Sequence, residues 1–341
     1  MSIQVLNPGV LSTFQDKGRH HFQAIGVSVC GAMNQSALQL ANLLVGNPPT
    51  EATLEISLTG PRLRFEQDAC IALSGSMADV FIETEQIPIN RPCLIRAGQT
   101  LHFRQSHNLP MARIYLAVHG GFSLPAVMGS HSTDLKTGMG GYLGRALQKR
   151  DTIHIRKPLA PACRQTLGNF FRELGIYLPA SLGLQKKNRI RILEGHHWEH
   201  FSTKSQEKLL NSTFTISPQS ERMGYRLQGH ELALKEPLQI LSEPTAFGSV
   251  QVPPDGNPII LMADRQTTGG YPKIANVISA DLPVLAQYLP GEEICFDMTT
   301  LCEAQNLLLQ REKKFQDLLA QLAPVATRLA QCYLCEKGAS K

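Results

Sequence analysis

The chain has 341 residues, 43% of them hydrophobic and 18% charged, which is enough for two domains that each bury a core. Its formal charge of +5 is mild, and its one dense basic cluster, Lys186 to Arg191, contains no aromatic residues. The cluster is therefore predicted to be a solvated strand entry, and a nucleic-acid-binding protein is not favoured.

The start of the chain lacks the basic residues and long apolar core of a signal peptide. No apolar stretch approaches the roughly 20 residues that a membrane helix needs, so we expect a cytoplasmic protein. The eight cysteines are scattered, mostly in apolar segments, as is typical of reduced thiols. Cys332 and Cys335 have the spacing of a redox or metal pair, but no second such pair and no His lies nearby, so a functional thiol pair is not predicted.

Short apolar or alternating runs separated by Gly, Pro, Asn and Asp dominate the chain and predict a mainly β protein, with its sheets closed into barrels or sandwiches. The predicted strands are, in chain order, Leu54 to Leu58, Leu63 to Phe65, Cys70 to Leu73, Val80 to Ile82, Thr100 to Phe103, Ile114 to Val118, Thr152 to Ile155, Ile190 to Leu193, Thr213 to Ile216, Gln239 to Leu241, Ile259 to Met262 and Ile294 to Phe296.

Two helices interrupt this pattern. The first is predicted from Asn34 to Leu44, with Gly46 as its stop signal, and the second is an amphipathic helix from Leu301 to Leu322. The predicted organisation is a β unit over 1–160, a proline-containing linker over 161–187, a second β unit over 188–300 and a C-terminal helical segment over 301–336. A turn glycine five residues before a strand-ending Phe, at Gly98 and again at Gly291, suggests that the two β units are related.

The densest chemistry lies in the eleven residues from Ala263 to Lys273, at the end of a predicted buried strand. A strand end that opens into a Gly-rich loop is a common place for a site. Arg265 and Lys273 are expected to hold negative charge that develops on oxygen atoms during catalysis. Asp264 is expected to orient Arg265, to act as a base, or to form a purely structural ion pair with Arg265. Substrate contacts are predicted for the intervening residues Gln266, Thr267, Thr268, Gly269, Gly270 and Tyr271.

Three further groups are candidate contacts. Gln251 and Asp255 flank a Pro-Pro pair that stiffens a loop facing the same strand end, although Asp followed by Gly is also a plain turn signal. A second compact polar and apolar cluster consists of Arg222, Met223, Gly224 and Tyr225. In the first unit, the backbone N–H groups of the turn before the first helix are placed to receive an anion, or else they belong to a capped, salt-bridged loop. The residues of this third group are Gln15, Asp16, Arg19, Gly31, Ala32 and Met33.

Two patterns that look catalytic are interpreted otherwise. The stretch Ser130 to Asp134 contains Ser, His and Asp, but residues so close in sequence cannot normally adopt triad geometry, so a polar loop is predicted. His196, His197 and His200 look like metal ligands, but a helical site needs a third ligand beside its i and i+4 pair, and the intervening Trp198 favours an amphipathic turn, so no metal site is predicted. The chain also has neither a GxxxxGK[ST] loop for ATP nor a Met-Lys-Met biotinyl-lysine motif.

A specific resemblance to a known family rests on blocks that include Asn7 to Arg19, Met128 to Asp134, Ser217 to Leu227, Gln251 to Gly256 and Asp264 to Lys273. These blocks occur in the same order as in the KipA or allophanate hydrolase subunit 2 family, which the chain resembles over about residues 3 to 300. The family is also called biotin-dependent carboxyltransferase-like. The resemblance implies two cyclophilin-like β-barrel units and a KipI-like partner, separate or fused.

The block Met128 to Asp134 is most similar to the 5-oxoprolinase branch of this family. That branch implies an ATP-dependent lactam hydrolase that opens 5-oxoproline to L-glutamate and is inactive without its partners. The implied partners are a KipI-like protein, which is the B component of a 5-oxoprolinase, and a third protein, which is its A component, with ATP bound with or by a partner. The alternatives are a biotin-dependent carboxyltransferase component that uses urea or a similar amide, and a non-catalytic KipA-like regulatory binding protein.

Overall fold

The computed structural model describes residues 2–104, 111–160, 163–173, 186–187 and 189–332. Most of the predicted linker therefore lies outside the described residues, as do Asn188 in the basic cluster, Cys335, and residues 333–336 of the predicted C-terminal helical segment. Among the described residues, none of the helices combines the length and the apolar character needed to cross a bilayer.

The chain forms two compact units, and each is built from separate stretches of sequence. The first comprises Met1–Gly18, Gln35–Pro179 and Phe315–Lys341, and the second comprises Arg19–Asn34 and Ala180–Lys314. The short segment Arg19–Asn34 thus belongs to the second unit, although the sequence on either side of it belongs to the first.

The first unit is built mainly of antiparallel strands. These strands are β1 (Ser2–Asn7), β2 (Leu11–Gln15), β3 (Thr53–Ser57), β4 (Arg62–Phe65), β5 (Ala69–Gly75), β6 (Asp79–Ile82), β7 (Glu85–Ile87), β8 (Pro92–Ile95), β9 (Thr100–Arg104), β10 (Arg113–Val118) and β11 (Thr152–His154). They form a six-stranded sheet in the order β11-β1-β4-β9-β6-β7 and a five-stranded sheet in the order β2-β3-β10-β5-β8. The helices in the described part of the unit are α1 (Gln35–Leu44), α2 (Arg164–Glu173) and the part of α5 (Leu301–Ala330) that begins at Phe315.

The five-stranded sheet buries both of its faces. Alternate residues such as Phe14, Leu54 and Leu116 point into the hydrophobic core of the first unit. The residues between them point to the second face, which is polar and nonetheless buried. Its members include Thr13, Gln15, Thr53, Glu55, Ser74 and Tyr115, none of which is more than 2% exposed. Buried polar residues of this number require hydrogen-bond partners.

The second unit contains a closed seven-stranded barrel in the order β12-β19-β16-β17-β14-β13-β20 and a separate two-stranded sheet, β15-β18. The strands are β12 (Arg189–Glu194), β13 (Phe214–Ile216), β14 (Gly224–Gln228), β15 (Glu243–Pro244), β16 (Ser249–Gln251), β17 (Ile259–Leu261), β18 (Thr268–Gly269), β19 (Lys273–Val277) and β20 (Glu293–Met298). Its helices are α3 (Thr203–Asn211), α4 (Leu282–Leu285) and the first part of α5 (Leu301–Ala330). Ile190, Phe214, Val250, Ile260 and Phe296 fill the barrel core.

The mainly β fold with few helices is confirmed. Every predicted strand is present except Gln239 to Leu241, which was wrong: these residues form no strand, and Leu241 is 89% exposed. A segment of two apolar residues without a partner strand cannot complete its backbone hydrogen bonds within a sheet. Helix α1 is confirmed, and α5 begins at Leu301 as predicted and continues through Pro324 to Ala330. Helices α2 and α3 were missed because their sequences are mostly polar.

Candidate functional site

The polar block that follows β17 divides into groups with different partners. Asp264 pairs with Arg222, whose Nε and Nη2 each donate to a different carboxylate oxygen at 2.8 Å. The same Arg222 Nη2 also donates to the carbonyl oxygen of Gly31 at 2.7 Å. Asp264 therefore forms no ion pair with Arg265. Since both its carboxylate oxygens accept charge-assisted hydrogen bonds, Asp264 anchors the start of the block and is poorly placed to accept a proton.

The other residues of the Arg222 cluster support the barrel. Tyr225 is 2% exposed and lies in the core of the second unit. Gly224 pairs with Leu261, and a Cβ at Gly224 would lie 2.9 Å from Ile259 Cγ2. Met223 accepts a backbone hydrogen bond from Met262. Within this cluster, Arg222 alone makes a charged contact with the polar block.

Arg265 is a partly buried cation that forms no salt bridge within the described residues, since the neighbouring carboxylate of Asp264 pairs with Arg222. Its Nε is buried without a hydrogen-bond partner, and Nη1 donates only a long bond of 3.4 Å to the Met262 carbonyl oxygen. The guanidinium carbon lies 5.8 Å from the centre of the Phe247 ring. Burial lowers the pKa of Arg265, whereas Coulombic interactions with Cys30 and Asp264 act to raise it. A desolvated guanidinium of this kind is stabilised by a bound carboxylate or phosphate, so Arg265 is the candidate anion-binding residue.

Lys273, in contrast, is already neutralised. Its Nζ lies 2.7 Å from Glu243 Oε2, and the hydrogen bond from Lys273 lowers the pKa of Glu243. The sequence predicted that Arg265 and Lys273 share one role as anion holders, but the two cations have different environments. Glu243 was not predicted, because a lone Glu beside Pro in a loop carries no motif; strand β15 brings it to β18 and Lys273.

Two histidines adjoin this ion pair. The ligand atoms of His196, His197 and Glu243 lie within 4.8 Å of one another. However, His197 Nδ1 accepts the backbone N–H of Lys273 at 3.2 Å, which leaves the proton of the neutral ring on Nε2, the nitrogen nearer Glu243. Burial lowers the pKa of His197 and favours this neutral form. A metal ion would have to displace both this proton and the Lys273 ammonium.

We therefore expect the purified chain to contain well under one equivalent of transition metal, as measured by elemental mass spectrometry. Glu243→Gln is expected to leave the metal content unchanged. One equivalent of zinc in the unaltered chain, lost in both Glu243→Gln and His197→Ala, would contradict this interpretation.

Two side-chain amides converge above Gly269. A Cβ built on Gly269 would lie 2.6 Å from Gln251 Nε2 and 3.1 Å from Gln266 Nε2. Gln251 is directly opposite Lys273 in the β16-β19 pair, and its Nε2 is buried without a hydrogen-bond partner in the described structure. The two amide groups therefore pack directly against Gly269, and any larger residue at this position would displace them.

We expect Gly269→Ala to lower kcat/KM about tenfold or more, because the new methyl group would displace the amides of Gln251 and Gln266, the proposed donors to a ligand oxygen. The backbone of Gly269 has no positive φ and the crowded atoms are the ends of flexible side chains, so the melting temperature should change little. Steady-state kinetics and thermal unfolding measure the two effects. Unchanged kinetics would exclude a ligand at this position.

The remaining residues of the block lie near a largely apolar cavity of 550 Å³. Asp255, Gly270 and Tyr271 line it, whereas Arg265 and Lys273 do not. Asp255 accepts the backbone N–H of Asn257 at 3.1 Å, which is the plain turn that its sequence also indicated. Thr268 lies in β18, and the Thr267 carbonyl oxygen accepts the backbone N–H of Thr245.

The candidate contacts near the first helix are divided between the two units. These residues are Gln15, Asp16, Arg19, Gly31, Ala32 and Met33. Asp16 is 6% exposed and accepts hydrogen bonds from Ser130 Oγ at 2.7 Å, Ser132 Oγ at 2.5 Å and the His131 backbone N–H at 2.6 Å. These bonds make the Ser130 to Asp134 stretch a structured polar loop. The His131 ring nitrogen Nδ1 lies 3.1 Å from the Pro125 carbonyl oxygen, away from the serine hydroxyls.

The segment Arg19–Asn34 contributes to the second unit. Arg19 and Ala32 are fully buried, and Met33 lies in the hydrophobic core of that unit. The carbonyl oxygen of Gly31 accepts a hydrogen bond from Arg222, the residue that pairs with Asp264 of the polar block. Thus Arg19, Gly31, Ala32 and Met33 pack within the second unit, and Gln15 and Asp16 within the first.

Comparisons with known proteins agree with one another. Residues 25–298 match the family model described as carboxyltransferase domain, subdomain A and B. The chain is 40% identical to the C subunit of 5-oxoprolinase from Haemophilus influenzae, over 91% of this chain and 95% of that protein. It is 39% identical to the C subunit of 5-oxoprolinase from Escherichia coli, over 94% and 98%. The crystal structure of Kluyveromyces lactis urea carboxylase superimposes with a TM-score of 0.82 and 27% identity over 93% of this chain, which corresponds to 29% of that longer chain.

Proposed function

Because the chain belongs to the carboxyltransferase-domain family with subdomains A and B, we propose that it is the C subunit of a 5-oxoprolinase, which opens 5-oxoproline to L-glutamate with ATP. The observation that carries the proposal is an identity of about 40% along almost the full length of two proteins with that name. Identity at this level over nearly the whole chain supports a shared role more strongly than a shared fold does.

The chemistry of this reaction fits the charges of the second unit. A lactam is an unreactive amide, and ATP supplies the phosphoryl group that makes its carbonyl carbon susceptible to water. Both the substrate carboxylate and a phosphoryl group are anions, and the guanidinium of Arg265 is suited to either through paired hydrogen bonds. The amide groups of Gln251 and Gln266 supply further donors, and these donors stabilise oxygen atoms that gain negative charge.

Two partner proteins complete the proposed enzyme in the cytoplasm. One is a KipI-like protein in the place of the B component of a 5-oxoprolinase, and the other is a third protein in the place of its A component. The chain carries no GxxxxGK[ST] loop, so we assign the nucleotide site to a partner or to a site shared with one.

The test is to produce the chain with the two proteins encoded beside it and to measure glutamate release from 5-oxoproline with and without ATP. We expect release only when all three proteins and ATP are present. Full activity without this chain, or no activity from three folded and associated proteins, would overturn the proposal.

The likeness to urea carboxylase favours one second candidate, a carboxyltransferase component that uses urea or a similar amide with biotin. This candidate requires a biotinylated partner protein. Loss of activity on addition of avidin, together with a requirement for bicarbonate, would favour it over the lactam hydrolase.

A further inference from the structure

On the polar face of the five-stranded sheet in the first unit, two residues lie directly opposite each other, and each has one side-chain oxygen without a hydrogen-bond partner in the described structure. Gln15 on β2 and Thr53 on β3 are Cα partners in the antiparallel ladder, so their side chains are on the same face and about 5 Å apart at Cβ. Both residues are 0% exposed. Gln15 Oε1 and Thr53 Oγ1 have no hydrogen-bond partner in the described structure.

The orientation of the Gln15 amide is fixed by its neighbours. Its Nε2 donates to Thr13 Oγ1 and to the Thr133 carbonyl oxygen, both at 3.1 Å. Turning the amide over would place Oε1 against a carbonyl oxygen, so Oε1 must be the free atom and can act only as an acceptor. The Thr53 hydroxyl has a rotatable proton and can donate. The pair Gln15–Thr53 therefore offers one acceptor beside one donor.

Leaving such groups buried and unpaired is unfavourable, so a partner is expected for each. An acceptor and a donor side by side match an amide whose N–H and C=O point in the same direction. That arrangement exists in a cis amide such as a lactam and also in urea, but not in an ordinary trans amide. On the same face Glu55 accepts a hydrogen bond from Tyr115 at 2.7 Å and lies 3.9 Å from the guanidinium of Arg113, so the positive charge of Arg113 is matched by a carboxylate and does not select an anion.

We propose that the Gln15–Thr53 pair binds the cis-amide edge of a small ligand, with the ligand N–H donating to Gln15 Oε1 and the Thr53 hydroxyl donating to the ligand carbonyl oxygen. The proposal rests on the proposed function only for the choice of a lactam among cis amides. It adds a binding site in the first unit to the anion-binding arginine of the second.

The test is a titration of the isolated full chain, followed by NMR of its isotope-labelled amides, with three neutral probes. We expect 2-pyrrolidone to shift the signals of Gln15 and Thr53. N-Methyl-2-pyrrolidone lacks the N–H and N-methylacetamide is a trans amide, so both should bind about fivefold more weakly or worse. Thr53→Val keeps the shape of the side chain without its hydroxyl and should weaken 2-pyrrolidone binding about five- to tenfold, as expected for one lost hydrogen bond.

Ser12→Ala is the matched control, because Ser12 lies on β2 and donates to the Pro8 carbonyl oxygen rather than facing this pair. Equal affinity for all three probes, or a crystal structure in which a water molecule bridges Gln15 and Thr53 and is retained at saturating 2-pyrrolidone, would overturn the proposal. The titration needs neither ATP nor the partner proteins. Its failure is thus distinguishable from failure of the three-protein glutamate assay.

Discussion

Replacing Arg265 by alanine is expected to lower ATP-dependent glutamate release by the assembled enzyme about 10²- to 10³-fold, the usual loss when a donor that stabilises developing negative charge is removed. The expectation follows from a partly buried guanidinium whose Nε has no hydrogen-bond partner and which forms no salt bridge within the described residues. Arg265→Lys should restore little, because a point charge cannot make the paired hydrogen bonds of the planar group.

The control for this experiment is Arg226→Ala. Arg226 lies on β14 of the same unit and its side chain is exposed, so its removal should leave kcat/KM within about twofold. A melting temperature of Arg265→Ala that equals or exceeds that of the unaltered chain would show that the loss is not one of folding. Full activity of Arg265→Ala would remove Arg265 from the site.

The second large effect concerns stability. Asp281 is 0% exposed and accepts hydrogen bonds from the Arg191 backbone N–H and Nε, both at 2.9 Å, and from Arg191 Nη2 at 2.6 Å. Removing Asp281 takes away the acceptor of all three hydrogen bonds and leaves the partly buried guanidinium of Arg191, which is 26% exposed, without this carboxylate. We therefore expect Asp281→Ala to lower the free energy of unfolding of the second unit by about 3–5 kcal/mol.

A matched control lies on the same strand as Arg191, two residues before it. Arg189 pairs with Asp297, but both side chains are nearly half exposed, so Arg189→Ala should cost at most about 1 kcal/mol. The single tryptophan, Trp198, lies in the second unit, and its fluorescence during urea unfolding reports on that unit. Equal costs for Asp281→Ala and Arg189→Ala would contradict the assignment of a buried, stabilising pair.

The same pair predicts a pH dependence. Burial acts to raise the pKa of Asp281, but the hydrogen bonds from Arg191 outweigh it, and the net pKa is lowered. A carboxyl whose pKa is lower in the folded state stabilises the fold fully above its unfolded pKa, about 4. This contribution is lost as the pH falls through the folded pKa. The stability difference between the unaltered chain and Asp281→Asn should therefore shrink in acid below about pH 4.

Sequence patterns identified most strands because alternation and turn residues are local. The run Ile259 to Met262 reads as a buried strand, and β17 is found there. The site depends on partners that are distant in sequence. Asp264 and Arg222 are 42 positions apart, and Lys273 and Glu243 are 30 apart. No local pattern shows which of the two nearby cations, Arg265 or Lys273, pairs with a carboxylate among the described residues.

In the first unit, sequence patterns could predict only one of the two residues of the proposed binding pair. Gln15 was identified as a candidate contact from its place in the opening block, but Thr53 was not, since a Thr in a predicted β run is an ordinary strand residue. Only the register of β2 against β3 places the two side chains opposite each other. Similarly, the location of Arg19–Asn34 in the second unit depends on packing, because the flanking sequence reads as one continuous β unit.

The most direct test of the anion-binding role of Arg265 is a crystal structure of the assembled enzyme with 5-oxoproline and a non-hydrolysable ATP analogue. We predict that a carboxylate or phosphoryl oxygen of the bound compounds lies within hydrogen-bond distance of Arg265 Nε. A structure in which both compounds are bound while Arg265 Nε contacts only protein or water would contradict the account.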